Sequence, residues 1–260
     1  MDDGTVSELA QRLLTSERTR QPIAQLSLDH PEMDVRDAYR VQRVVVDARL
    51  AAGETIIGWK VGLTSRAMQK QLGVDTPDYG PLLSGYLVAD GGAVPRADLI
   101  SPRAEAEIGF VLGAPLAGRG ITTADVLRAT FGVRPAIEVI DSRIRDWKLT
   151  LVDTVADLAS SARVVFGGPI TPIAGLDLRL IGAVLERNGE VVETGAGAAV
   201  MGDPVAAVAW AANTLAALGV TMRAGDVIIP GALHASVPAN AGDTFTARFD
   251  RLGSVTVRFV

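Results

Sequence analysis

Three glutamates stand where their type and spacing invite chemistry. Glu105 and Glu107 lie in Pro102-Arg-Ala-Glu-Ala-Glu-Ile-Gly-Phe-Val-Leu, whose apolar continuation reads as a strand. Residues two apart on a strand point to one face, which places the two carboxylates roughly 6–7 Å apart. At an effective dielectric near ~20 their repulsion is on the order of 2–3 kcal/mol if both stay ionised. Water, a shared proton, an arginine or a cation has to offset it. Glu138 interrupts an otherwise apolar strand row, between Ala136 and Ile140. Three carboxylates suit Mg²⁺ or Mn²⁺ better than zinc. The ordinary alternative puts Glu105 and Glu107 on a solvated face and pairs Glu138 with Arg134, Arg143 or Arg145. A Glu-x-Glu on a strand is by itself weakly specific.

Other reactive types are few. Lys60 sits in the almost wholly apolar run Ile56-Ile-Gly-Trp-Lys-Val-Gly-Leu-Thr, where desolvation lowers a lysine pKa and suits proton transfer. The alternative is an amine that snorkels to water from a strand end. Asp78, in Thr76-Pro-Asp-Tyr-Gly-Pro, reads as either a turn former or a pocket acid. Of the two histidines, His30 precedes a proline near the surface, while His234, in Pro230-Gly-Ala-Leu-His-Ala-Ser, reads as a pocket-lining loop residue. Two histidines cannot build a histidine-rich metal site. The absence of cysteine removes thiolate sites, disulfides and a cysteine nucleophile. No nucleophile elbow, Walker loop or dinucleotide fingerprint occurs. A net charge of -5 with dispersed arginines argues against nucleic acid or an anionic membrane surface as partner. The start of the chain shows no export signal, and its most apolar stretch, 205–220, is too short and interrupted to span a bilayer. A soluble, cytoplasmic protein is expected.

The elements that must position these residues change character near Gly53. Before it, Val6, Leu9, Leu13 and Leu14 recur at helical spacing, and a second helix starts after the cap Asp34. After it come short apolar runs broken by Gly and Pro. Residues 56–63, 105–112, 136–141 and 164–166 read as strands. Thr122 and Asp125 resemble a capping box, and a later helix has Asp203 as cap, Pro204 in its first turn and Gly219 as terminator. Alternation returns in 244–249 and 255–260. The division expected is a helical portion, 1–54, joined to a β-rich metal-binding catalytic domain, 55–260.

Gly58-Trp-Lys-Val-Gly-Leu-Thr-Ser, Gln71-Leu-Gly-Val-Asp-Thr-Pro-Asp-Tyr-Gly and Ala104-Glu-Ala-Glu-Ile resemble the 2-keto-4-pentenoate hydratase and 4-oxalocrotonate decarboxylase family, within the fumarylacetoacetate hydrolase superfamily. Glu138-Val-Ile-Asp-Ser-Arg-Ile-Arg-Asp-Trp-Lys, Asp153-Thr-Val-Ala-Asp and Gly195-Ala-Gly-Ala-Ala do the same, in order from about residue 30 to the end.

The resemblance implies an α+β fold, a mixed twisted β-roll with a helical N-terminal portion. It further implies Mg²⁺ or Mn²⁺ on Glu105, Glu107 and Glu138, with Lys60 and Asp78 moving protons and Ser160 or Ser161 lining the substrate site. The expected activity is hydration of 2-hydroxypenta-2,4-dienoate or a close analogue to a 4-hydroxy-2-oxo acid, in catabolism of aromatic-derived compounds. The alternatives are 4-oxalocrotonate decarboxylation and an inactive metal-binding scaffold partner. A homo-oligomer is expected, in association with a pathway enzyme. Asp78 and the Ser-Arg-Ile-Arg-Asp-Trp-Lys string resemble the hydratases; the stretches after His30 and Asn188 resemble the decarboxylases as well. Two departures bear on substrate choice: Leu158 stands where the family commonly has Asn, and His234 lies in an unfamiliar loop.

Overall fold

The computed structural model describes residues 1–65, 69 and 74–260. The Gln71-Leu-Gly part of the family-like segment lies outside the described residues.

The chain opens with α1 (Asp3–Thr19), the single turn α2 (Leu26–Asp29) and α3 (Val35–Ala51). Asp34 caps α3 by accepting from the Asp37 N–H at 2.8 Å, satisfying one of the amides a helix start leaves unpaired. The strands that follow are β1 (Ile56–Gly62), β2 (Asp78–Leu83), β3 (Leu87–Val88), β4 (Ala93–Val94), β5 (Arg103–Leu112), β6 (Thr130–Ile140) and β7 (Ser161–Phe166). Between them lie α4 (Thr123–Ala129), opened by the Thr122–Asp125 capping box, and α5 (Leu151–Ala156). The last third holds β8 (Gly182–Arg187), β9 (Glu190–Ala196), α6 (Pro204–Ala217), β10 (Val227–Ile229), β11 (Val237–Pro238), β12 (Thr244–Phe249) and β13 (Gly253–Phe259). Asp203 caps α6 and Pro204 occupies its first turn.

Among the described residues the strands form two mixed sheets. The larger runs β2-β1-β10-β5-β6-β7-β3, with β11 added to the edge of β5, and the smaller runs β4-β13-β12-β8-β9. In the larger sheet β1 runs parallel to β10 and β3 to β7, while β5 and β6 pair antiparallel over their whole length. This sheet curls on itself. Lys60 on β1 meets Glu138 on β6, although β10 and β5 stand between those strands in the hydrogen-bonding order.

Alternation along β5 decides what each face does. Ala104, Ala106, Ile108, Phe110 and Leu112 enter one core with the smaller sheet and α6. Glu105 and Glu107 take the opposite face. On β6, Val133, Ile137 and Val139 join that core, leaving Ala136, Glu138 and Ile140 on the face with the glutamates. A second core unites α1 and α3 with Leu82, Leu83, Ala136, Leu158, Val164 and Ile229. The N-terminal helices therefore pack behind the strands and loops that carry the site.

Candidate active site

The β5–β6 register sets Glu105 directly opposite Glu138, with Glu107 one pleat further along. One carboxylate oxygen from each of the three lies within 4.8 Å of the others. Glu107 and Glu138 are 1% and 0% exposed, and Glu105 is partly open. The solvated-face alternative therefore does not describe this strand, and Glu138 pairs with Lys60 rather than with an arginine. The Gly231 N–H donates to Glu107 Oε2 at 2.7 Å, while Glu107 Oε1 and both Glu138 oxygens accept no hydrogen bond. Buried carboxylate oxygens without donors are costly. Burial first, then the charge of Glu138, raises Glu105 to about 7 and Glu107 well above the carboxylate range. An all-oxygen cluster of this size and charge fits a hard divalent cation.

Lys60 is buried, with Nζ 3.2 Å from Glu138 Oε2 and donating to the Ala159 carbonyl at 2.9 Å. Burial alone lowers its pKa, as the sequence suggested. Glu138, Asp78, Glu105 and Glu107 oppose that in descending order, and the balance lies above the lysine range. The direction is thus upward, where the sequence alone suggested a depressed amine.

Asp78 is no turn residue. It opens β2 opposite Gly62, buried, with Oδ2 accepting from Thr154 Oγ1 at 3.3 Å and Oδ1 without a donor. Burial raises its pKa, and Lys60 opposes the rise. A Cβ built on Gly62 would lie 2.1 Å from Asp78 Oδ1 and 3.5 Å from Lys60 Nζ, so amine and carboxyl converge on the same small space.

Ser160 and Ser161 are buried with hydroxyls that have no partner. Leu158 is also buried, its side chain in the core shared with the N-terminal helices. His234 is half-buried. Its Nε2 accepts from the Ala106 N–H at 3.3 Å and its Nδ1 faces the Ala235 carbonyl at 2.8 Å, an arrangement for the neutral ring, to which burial also tends. Both ring nitrogens thus serve the backbone and fix the loop that brings Gly231 to Glu107. The sequence reading missed a buried ion pair, Arg143–Asp157, beside the two serines. Both residues fall in the family-like strings around 138–148 and 153–157, but neither string shows that they pair.

A family model described as fumarylacetoacetate (FAA) hydrolase C-terminal matches residues 59–260. The chain is 46% identical over 255 residues to a 4-oxalocrotonate decarboxylase of Pseudomonas sp. (strain CF600), covering 98% of this chain and 97% of that one. It is also 46% identical over 253 residues to a 2-keto-4-pentenoate hydratase of Paraburkholderia xenovorans (strain LB400), covering 97% and 94%. Its fold superposes with TM-score 0.97, at 44% identity and with 100% and 99% coverage, on a 4-oxalocrotonate decarboxylase from Pseudomonas putida G7 complexed with magnesium and adipate.

Proposed function

The chain belongs to the fumarylacetoacetate hydrolase family, and from that premise we propose a divalent-metal-dependent hydratase acting on 2-hydroxypenta-2,4-dienoate or a close analogue. Glu105, Glu107 and Glu138 would hold Mg²⁺ or Mn²⁺, which when bound supplies electrophilic polarisation of the substrate's carboxylate and 2-oxygen and offsets the repulsion within the trio. The buried, unpartnered hydroxyls of Ser160 and Ser161, in the stretch that includes the Ala159 carbonyl bonded to Lys60, are donors suited to orienting a carboxylate.

The observation that carries hydration is the convergence of Asp78 and Lys60. Hydration moves protons repeatedly. The 2-hydroxyl loses one and C5 gains one to give the unsaturated ketone; a water then loses one as its oxygen joins C4, and C3 gains one. A buried carboxyl and a buried amine that face one small space are the groups placed to hold and pass a proton there. Vinylogous loss of CO₂ from a dicarboxylate needs no attacking water and fewer transfers.

A second reading, 4-oxalocrotonate decarboxylase, is favoured by 46% identity to a decarboxylase, equal to that to a hydratase, and by the superposition on a decarboxylase structure at TM-score 0.97. The cytoplasm, a homo-oligomer and association with a pathway enzyme complete the proposal. His234 shapes substrate choice through the loop it pins. An ultraviolet assay with Mg²⁺ and EDTA controls tests the activity. Metal-dependent conversion of the dienol to 4-hydroxy-2-oxopentanoate supports the hydratase. CO₂ release from 2-oxohex-3-enedioate, without hydration, replaces it by the decarboxylase. Inactivity on both substrates removes both readings and restores the scaffold.

A further inference from the structure

Leu158, Ala159 and Ser160 follow one another with φ of 57°, 49° and 57°. Residues with a Cβ rarely enter this left-handed region singly, and three in succession persist only where the surroundings impose them. The middle residue supplies the carbonyl that accepts from Lys60 Nζ. The surroundings that impose the turn are identifiable. Arg143 is buried and its guanidinium grips both ends: Nη2 donates to the Asp157 carbonyl, Nη1 to the Ser161 carbonyl at 3.0 Å, and Nε to Asp157 Oδ1. Asp157 Oδ2 accepts from the Arg143 N–H at 3.0 Å and from Ser142 Oγ at 3.3 Å. The Asp141 N–H donates to the Ser160 carbonyl at 2.8 Å. On the other side the turn lies against Gly80, where a Cβ would come within 2.7 Å of the Leu158 carbonyl.

We propose that the Arg143–Asp157 pair is a positioning unit for the reaction, holding the left-handed turn so that the Ala159 carbonyl fixes Lys60 Nζ beside Glu138 and Asp78. The inference rests on the functional reading above. Neither member touches the three glutamates or the amine; they act through the Ala159 backbone. A planar fork that reaches two carbonyls and a carboxylate at once is a task for arginine and not for lysine. A pair that merely stabilised the fold would leave the lysine's placement indifferent to that fork.

The test compares wild type, Arg143→Lys and Asp157→Asn, each checked for folding by circular dichroism and for Mn²⁺ affinity by calorimetry. The expected result is kcat lowered about 10- to 100-fold, the scale of a misplacement near 1 Å, with KM and Mn²⁺ affinity within about two-fold. A second readout is independent of turnover. Lys60, Lys70 and Lys148 are the chain's lysines, so acetylation by acetic anhydride can be followed at each site by mass spectrometry. Released from the Ala159 carbonyl, Lys60 should label several-fold faster relative to the exposed Lys148 than it does in wild type. A folded Arg143→Lys protein with wild-type kcat and wild-type Lys60 labelling overturns the proposal. If Arg143→Lys does not fold, the near-isosteric Asp157→Asn decides by the same two readouts. Wild type inactive on both substrates would sink the functional reading, while the labelling comparison still decides the positioning.

Discussion

Gly62 has no side chain, and the amine and carboxyl beside it depend on that. An alanine there would put a methyl carbon 2.1 Å from Asp78 Oδ1, well inside contact distance, and beside Lys60 Nζ. Gly62→Ala should cost about 1–3 kcal/mol as overpacking and lower kcat on the order of 10²-fold, read by thermal melting and steady-state kinetics. Unchanged kcat would mean that Asp78 and Lys60 do not work from their present positions. The glutamates make a pH prediction. Glu105 is raised from 4.5 to about 7 in the folded chain. A raised folded pKa contributes stability below the unfolded value, and that contribution is lost as pH rises through the folded one. Metal-free protein should therefore lose melting temperature between about pH 4.5 and 7. Mn²⁺ affinity should increase over the same interval, because the ligands must first release protons. Calorimetry that found affinity independent of pH would remove the trio as ligands. His234→Ala should alter the ranking of accepted substrates by loosening the loop at Gly231; identical kinetics on every substrate would dismiss that role.

At the scale of elements, much of the site was readable because it obeys period two. The Glu-Ala-Glu alternation named the face of β5, and the polar break in an apolar row singled out Glu138. The caps Asp34, Asp203 and the Thr122–Asp125 box marked helix starts by local chemistry that a sequence displays directly. The β8–β9 hairpin went unread despite Asn188-Gly189 at its turn, a dipeptide whose positive φ values of 56° and 85° suit a two-residue connection. β6 runs six residues further towards its N-terminus than 136–141 suggested, because Arg134 and Pro135 mask its pattern. The left-handed turn was not readable at all. Leu and Ala carry no preference for positive φ, and the Arg143 fork that imposes it comes from a separate loop. One consequence concerns the helical portion. Leu158 and Tyr86 share a core with α1 and α3, and Gln42 on α3 donates to the carbonyls of Tyr79 at 3.1 Å and Val155 at 2.8 Å. A chain starting at residue 55 should therefore aggregate or melt far below the full chain, and supplying 1–54 in trans should restore it. A stable, active 55–260 fragment would show the division to be one of independent domains.

At the scale of the whole molecule, the arrangement is one curled sheet closed by a loop and backed by helices, with the smaller sheet and α6 filling its far side. Among the described residues no helix is long and apolar enough to cross a membrane. The curl brings Lys60 to Glu138 across two intervening strands. One of those strands, β10, comes from near the end of the chain, and its neighbour β5 carries the other two glutamates. Contacts so distant in sequence form late, because long loops must close before any of them is made. During refolding, activity should therefore return only with the slowest folding phase, which stopped-flow fluorescence set against recovered turnover would time. For the cell, this geometry works as a proofreading device. A nascent chain that has not delivered β10 lacks the strand that joins β1 to β5, so Lys60 is not yet held beside Glu138 and unfinished copies should not turn over substrate.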